Sequence, residues 1–356
     1  MKSDQLLLLQ LHPLSHTREL DIRCEHILYT PGDNLYKTEL VNIEFNSLRK
    51  QLLIGSFKII PQRSEEAFAS IKHYQTDRYD LGLHDIICTD IYLDKLLENK
   101  MYAGNISSSK GRILIYRDIS KPLDGISKIG NYPHQILLKS SIPINVRHVS
   151  LEDLYLEYKE KNVTGKIGTI TFTNSRIAIS NVTNVPSLLR TGNIADASVV
   201  TNVLGNIPIS VAFQFFLGDH AGRFNVTGNT GSFNMKSLNA ISRTMALIQI
   251  DSGFMQNMLF NFSGDDFGTK GDIIMKYNKL RVELLKKNDD GQVSKRGLMS
   301  LFANLIIKNE NPHNGKLRNF DVQYDRDKNK SFFNLVWKTI FTGMKATVGL
   351  PGPKIK

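Results

Sequence analysis

The chain has 356 residues and a formal net charge of +11, and 41 % of its residues are hydrophobic. This length allows one large unit or two domains, and the apolar content excludes a largely disordered chain. The basic balance attracts phosphate, in nucleic acid or anionic lipid, although a basic surface spread over many hairpins explains it equally well.

The first residues predict neither a signal peptide nor a membrane span. Leu6–Leu9 is too short for the apolar core of a signal peptide, and Asp4 lies where a positive charge is expected. No stretch reaches the roughly 18 apolar residues of a membrane helix. Either the protein is soluble as it stands, or Met1 begins inside a longer protein whose anchor is missing.

Strict alternation of apolar and polar residues is the main signal along the chain. Val41, Ile43 and Phe45 alternate with polar residues. The same pattern recurs at Val211, Phe213, Phe215 and Leu217, and at Met299, Leu301, Ala303, Leu305 and Ile307. Because a strand has a side-chain period of two, each set lies on one sheet face. The sequence predicts a mainly β protein with a long, curved antiparallel sheet.

The predicted strands follow one another with short turns. They are Ile22–Tyr29, Glu39–Ser47, Leu52–Ile60, Leu81–Leu93, Met101–Ile106, Arg112–Arg117, Ile144–Tyr158, Gly165–Thr173, Arg176–Thr183, Ala197–Val203, Ile207–Leu217, Gly222–Phe233, Met245–Asp251, Met255–Ser263, Asp272–Leu285 and Leu298–Lys308. Ser107–Gly111 is interpreted as a turn. Within Asp272–Leu285 the apolar parity shifts, which predicts a bulge or tight turn near Asn278.

Three segments interrupt the strands. Pro61–Asp80 is interpreted as a loop or one short helix, and Ser237–Ile241 as one helical turn. Prolines and glycines in Asp118–Pro143 predict a loop or crossover between two sections of the sheet. The chain therefore divides into an N-terminal β section (1–143), a C-terminal β section (144–330) and a helical tail (331–356).

Residues after Ser331 predict an amphipathic helix, with Ser331 as its cap and Gly349 and Pro351 at its end. Its apolar positions include Phe333, Trp337, Phe341 and Met344. Two interpretations are open. The helix packs against the end of the sheet, or it lies in a membrane interface, where aromatic residues and lysines are favoured.

The sequence contains no recognisable catalytic motif. Nine histidines are scattered without metal-ligand spacing. Gly264–Gly271 contains two adjacent acids, Asp265 and Asp266, but a solvated turn explains it better than a cation site. Asp325–Asp327 is interpreted as an exposed, charged strand end. Cys24 and Cys88 are expected to be reduced thiols, with a disulfide left open. The sequence predicts no enzyme, no cofactor and no metal.

Several segments of the C-terminal half resemble one family. Gly271–Lys287, GDIIMKYNKLRVELLKK, is similar to a segment near the end of AsmA-like proteins. Phe233–Ile241, Ile248–Gly253 and Gly168–Asn184 resemble corresponding stretches. Ser300–Gly349 resembles the tail of Bacteroidetes-type, AsmA- or TamB-related envelope proteins. The N-terminal part resembles the family only in style.

This resemblance implies a β-sheet with a taco-like apolar groove that shields lipid tails. It implies a non-enzymatic protein at the periplasmic face of the cell envelope that assists phospholipid transport or outer-membrane assembly. The expected partners are phospholipid or another lipid and a membrane surface, with envelope protein partners undefined and no nucleic acid. The candidate groove residues are Phe213, Phe215, Leu217, Met299, Leu301 and Leu305. The alternative is a structural or adhesive β-sandwich or β-solenoid with a closed core and no lipid.

Overall fold

The computed structural model describes residues 19–190, 194–243, 248–287, 293–295 and 307–350. The protein is mainly β, with 56 % strand and 15 % helix, as the sequence predicts. The strands of these ranges form one large mixed sheet. They are β1 Asp21–Tyr29, β2 Tyr36–Asn46, β3 Gln51–Pro61, β4 Arg78–Thr89, β5 Met101–Ser108, β6 Lys110–Asp118, β7 Ile144–Lys161, β8 Ile167–Thr183, β9 Ile194–Val203, β10 Ile207–Phe216, β11 Phe224–Thr230, β12 Phe233–Asn234, β13 Ile248–Gly264, β14 Gly268–Lys287, β15 Val293–Lys295 and β16 Asn319–Asp325.

Short helices occupy the segments that the strand pattern leaves free. They are α1 Glu65–Lys72, α2 Leu93–Leu97, α3 Pro133–Leu138, α4 Asn239–Ile241 and α5 Phe332–Thr347, with 3₁₀ turns at Leu188–Arg190 and Met235–Leu238. No helix in the described ranges is long and apolar enough to cross a membrane.

Most neighbouring strands are antiparallel and follow chain order, but β5 and β6 both pair in parallel with β7. The prediction of an antiparallel sheet is therefore wrong at this point. The prediction of a turn at Ser107–Gly111 is also wrong. Ser109 only interrupts a straight path, because β5 and β6 run in one direction between β4 and β7. Residues 119–143, here called the crossover, return the chain to the start of β7. The sheet continues without a break through the predicted section boundary at residue 143.

One face of the sheet, here called the inner face, carries α5 and the crossover. Phe213, Phe215 and Phe224 lie on it, since their rings contact Phe332 of α5 at centroid distances of 6.0, 5.5 and 4.9 Å. The main hydrophobic cluster lies between this face and α5, and Tyr132, Phe224, Met255, Ile273 and Met275 are fully buried in it.

Left-handed residues in mid-strand keep apolar side chains on the inner face. Leu52, Ile54 and Phe57 of β3 all contact the second hydrophobic cluster, although their numbers change parity at Gly55. In the neighbouring strands the same row contains Asn42 with φ 54° and Asp85 with φ 49°. Because the phase resets there, Val41 lies opposite Ser56 while Ile43 lies opposite Ile54. The expectation that Val41 shares a face with Ile43 and Phe45 is wrong.

The same device occurs in β14. Tyr277 and Leu280 are both buried, at 1 % and 2 % exposure, although strict alternation would separate them. Lys279 between them has φ 52°, and the pairing of β13 with β14 shifts register nearby. The bulge predicted near Asn278 is confirmed.

The two cysteines are free thiols. Cys24 lies on β1 and Cys88 on β4, so two strands separate them in the sheet. At about 4.8 Å per strand their Cα atoms are roughly 14 Å apart, too far for a disulfide. Burial raises the pKa of the Cys88 thiol to about 11, which keeps it protonated and unreactive.

Replacing Asn42 tests the role of the left-handed positions. Asn42 is exposed, so burial does not confound the result. We expect Asn42→Val to lower the free energy of unfolding by about 1–2 kcal/mol, because a β-branched residue is disfavoured at positive φ. Asn42→Gly is the matched control and should stay within about 0.5 kcal/mol of wild type in urea unfolding. Equal losses in both variants would contradict the account.

Candidate functional site

A cavity of about 460 Å³ lies between α5 and the inner face of the sheet. Its walls come from β7 and β8 on one side and from β13 and β14 on another, with α4 and the preceding 3₁₀ turn completing it. Most of the lining is aliphatic or aromatic. The apolar lining residues are Ile119, Val163, Ile170, Met235, Leu238, Ile241, Ile248, Ile250, Met275, Leu280, Val282, Trp337, Phe341, Met344, Val348 and Leu350.

Three of the four helix residues singled out from the sequence line this cavity. Trp337 and Phe341 stack with ring centroids 5.7 Å apart, and Met344 follows on the same side of α5. All three are half-buried. Phe333 is 66 % exposed and lies outside the cavity. The membrane-interface interpretation of this helix stays a prediction.

The other side of α5 packs tightly on β14 and β16. Small residues allow the close approach, because a Cβ at Gly343 would lie only 2.4 Å from Ile273. The Thr339 hydroxyl hydrogen bonds with that of Thr269 over 2.6 Å. Leu335, on the same helix, is 2 % exposed. The helix therefore lies along the inner face, with one apolar side on the sheet and another on the cavity.

Polar groups in the cavity wall are unevenly charged. Lys330, Lys338 and Lys345 line it together with a single acid, Glu160. The Tyr158 hydroxyl donates a hydrogen bond to Glu160 at 2.9 Å. Burial lowers the pKa of Lys345, and the nearby positive charge of Lys338 lowers it further. The cavity wall thus combines an apolar interior with a net positive charge.

The predicted groove residues that the structure describes, Phe213, Phe215 and Leu217, do not line this cavity. Phe215 and Leu217 are buried, and Phe213 packs against the same cluster. Phe213 and Phe215 contact Phe332, and the Phe215 ring also contacts the His134 ring of α3, with centroids 5.1 Å apart. The chain's own side chains therefore fill the space above them. Met299, Leu301 and Leu305 lie outside the described residues.

The crossover contacts both α5 and the turn between β13 and β14. Tyr132 is fully buried, and its ring contacts Phe224 and Phe332 at 5.5 and 5.1 Å. Its hydroxyl donates a hydrogen bond to the carbonyl oxygen of Asp265 at 2.7 Å. Composition alone predicts a loop here, but nothing in the segment's polarity indicates that it crosses the hydrophobic cluster.

Asp266 and Arg326 form a buried ion pair beside Tyr132. Their side chains are 5 % and 2 % exposed, and Nη1 lies 2.6 Å from Oδ1. Asp266 also accepts hydrogen bonds from the Gly130 amide and the Gln135 side chain, both in the crossover. The interpretations of Gly264–Gly271 as a solvated turn and of Asp325–Asp327 as an exposed strand end are therefore wrong for these two residues. Each carries the partner charge that permits its burial.

His134 is buried without a hydrogen bond. It is 3 % exposed, and neither ring nitrogen has a partner. Burial lowers the pKa of His134 to about 4, with opposing contributions from Asp266 and Asp219. The imidazole is neutral at pH 7 and packs as an aromatic ring.

No group of three or more potential metal-ligating side chains occurs within the described part of the chain. Comparison with protein-family models finds no match, and no curated protein matches at a significant level. The geometry of the cavity therefore carries the functional argument.

Removing the charge of Asp266 should strongly destabilise the fold. Asp266→Asn leaves Arg326 buried without a counter-charge, which costs about 3–5 kcal/mol in comparable cases. Asp325→Asn removes a neighbouring exposed carboxylate and should stay near wild type. Chemical denaturation of both variants measures the difference. Equal free energies of unfolding for Asp266→Asn and Asp325→Asn would show that the ion pair does not stabilise the crossover.

His134 should make the protein sensitive to acid. An unfolded chain binds a proton at His134 below about pH 6.5, whereas the folded chain resists it until about pH 4. Stability should therefore fall across this window, by up to about 3 kcal/mol. His134→Leu should remove that part of the slope without loss at pH 7. His148→Leu, at an exposed site on β7, is the control and should retain it. Parallel slopes in wild type and His134→Leu would refute the assignment.

Proposed function

We propose that this protein is a non-enzymatic lipid-binding protein of the cell envelope. The apolar cavity beneath α5 is the observation that carries the proposal. In this account the inner face acts as a groove, α5 occupies part of it, and a lipid acyl chain occupies the remainder.

The size and lining of the cavity suit an acyl chain. A volume of about 460 Å³ falls within the range of small-molecule sites. A methylene group takes roughly the space of a water molecule, about 30 Å³, so one chain of about fifteen carbons fits. Each methylene moved from water into the cavity contributes about 0.8 kcal/mol. A long chain thereby offsets the loss of freedom on binding, whereas a small polar ligand would not.

Resemblance to AsmA-like proteins supports the same function and extends it to a location. The proposed role is to assist phospholipid transport or outer-membrane assembly at the periplasmic face of the envelope. The segments that carry the resemblance include β8, β14 and α5, which also supply walls of the cavity.

A second candidate is a structural β protein with a closed core. Dense packing of Phe213, Phe215 and Leu217 under Phe332 and the crossover favours it. The cavity argues against this candidate, because a closed core is close-packed and would not leave a cavity lined by half-buried Trp337, Phe341 and Met344.

Filling the cavity distinguishes the two candidates. Ile170 on β8 lines the cavity, and its neighbour Thr171 lies on the opposite face of the strand. We expect Ile170→Trp to lower the amount of co-purified lipid about tenfold, which corresponds to about 1.4 kcal/mol. Thr171→Trp is the matched control and should retain wild-type lipid. Native mass spectrometry of the three proteins gives the readout.

The closed-core candidate predicts a different result. It expects lipid-free protein in all three preparations, and a loss of stability in Ile170→Trp with no change in bound mass. Lipid-free wild type that also fails to take up added phospholipid would reject the proposed function.

A further inference from the structure

We infer that the cavity selects lipids with a net negative head group, whose phosphate contacts Lys338 and Lys345 of α5. This inference rests on the proposed function, because it assumes that an acyl chain occupies the apolar interior. It adds the class of lipid, which the apolar lining alone leaves open.

The placement of the two lysines on the helix supports this assignment. Lys338 and Lys345 are seven residues apart, which is close to two helical turns, so they lie on one side of α5. Both line the cavity and both are half-buried. Trp337 and Phe341 lie beside them, and the Lys345 ammonium lies 5.0 Å from the centre of the Phe341 ring. The aromatic rings thus join the positive groups to the apolar interior.

Neither lysine has an acidic partner among the described residues. Among the described residues, no aspartate or glutamate forms an ion pair with Lys338 or Lys345. Glu160, the acid in the cavity wall, accepts a hydrogen bond from Tyr158 instead. Burial lowers the pKa of Lys345, and the positive charge of Lys338 lowers it further, because two like charges at a partly buried site repel each other. A phosphate between them would relieve it.

A zwitterionic head group offers less to this site. Its phosphate carries the same charge as that of an anionic lipid, but its attached cation would face the same lysines. Like charges at such distances oppose binding. The chemistry therefore favours a lipid such as phosphatidylglycerol over phosphatidylcholine.

Titration calorimetry with water-soluble, short-chain phosphatidylglycerol and phosphatidylcholine tests the inference. Identical acyl chains in the two lipids isolate the head group, and monomeric lipid excludes binding to a membrane surface. We expect wild type to bind phosphatidylglycerol about tenfold more tightly. K338Q/K345Q should bind both lipids with the affinity that wild type has for phosphatidylcholine.

The control is K270Q/K276Q, which removes the same charge from the opposite face of β14. Ile273 and Met275 of that strand point to the inner face, so Lys270 and Lys276 point away from the cavity. This variant should keep the tenfold preference. Added salt should weaken the preference of wild type, a test that needs no substitution.

Equal affinity of wild type for the two lipids would overturn the inference while leaving the proposed function intact. Binding of neither lipid would reject both. Inorganic phosphate that binds wild type as tightly as phosphatidylglycerol does would overturn the inference, because the site would then serve a free anion.

Discussion

A single sheet can bury its apolar face only against something that lies on it. All strands in the described residues belong to one sheet, so no second sheet performs this task. The inner face is covered instead by α5 and the crossover, which meet at the contact of Tyr132 with Phe332. The buried ion pair of Asp266 and Arg326 stabilises the position of the crossover at this contact. Where this cover is incomplete, the cavity remains.

The cavity therefore follows from the shape of the helix–sheet contact. Thr339 and Gly343 bring one side of α5 close to β14, which leaves its Trp337 side facing across to β8. If the function were purely structural, larger side chains on β8 or β13 could close this space. Lys338 and Lys345 on the same helix would then only lower the stability of the fold, because partly buried like charges repel.

Local patterns predict the strands well, since alternation depends only on neighbouring residues. The parity change in Asp272–Leu285 even locates a bulge, which Lys279 confirms. Patterns fail where distant parts of the chain meet. The sequence predicts that Asp266 lies in a solvated turn and Arg326 at an exposed strand end, because the burial of each depends on a partner sixty residues away. The reset at Asn42 also escapes prediction, since Val41, Ile43 and Phe45 look like an unbroken run. The cavity arises from α4, α5 and four strands together, so no single segment indicates it.

The single tryptophan of the chain, Trp337, lies in the cavity wall and allows the most direct test of lipid binding there. Bromine atoms quench tryptophan fluorescence only at short range, so phosphatidylglycerol brominated on its acyl chain reports contact. We expect saturable quenching of Trp337 by monomeric brominated lipid, reversed by the unbrominated lipid. Undiminished fluorescence under conditions in which the lipid is bound would show that the acyl chain does not occupy the cavity beneath α5.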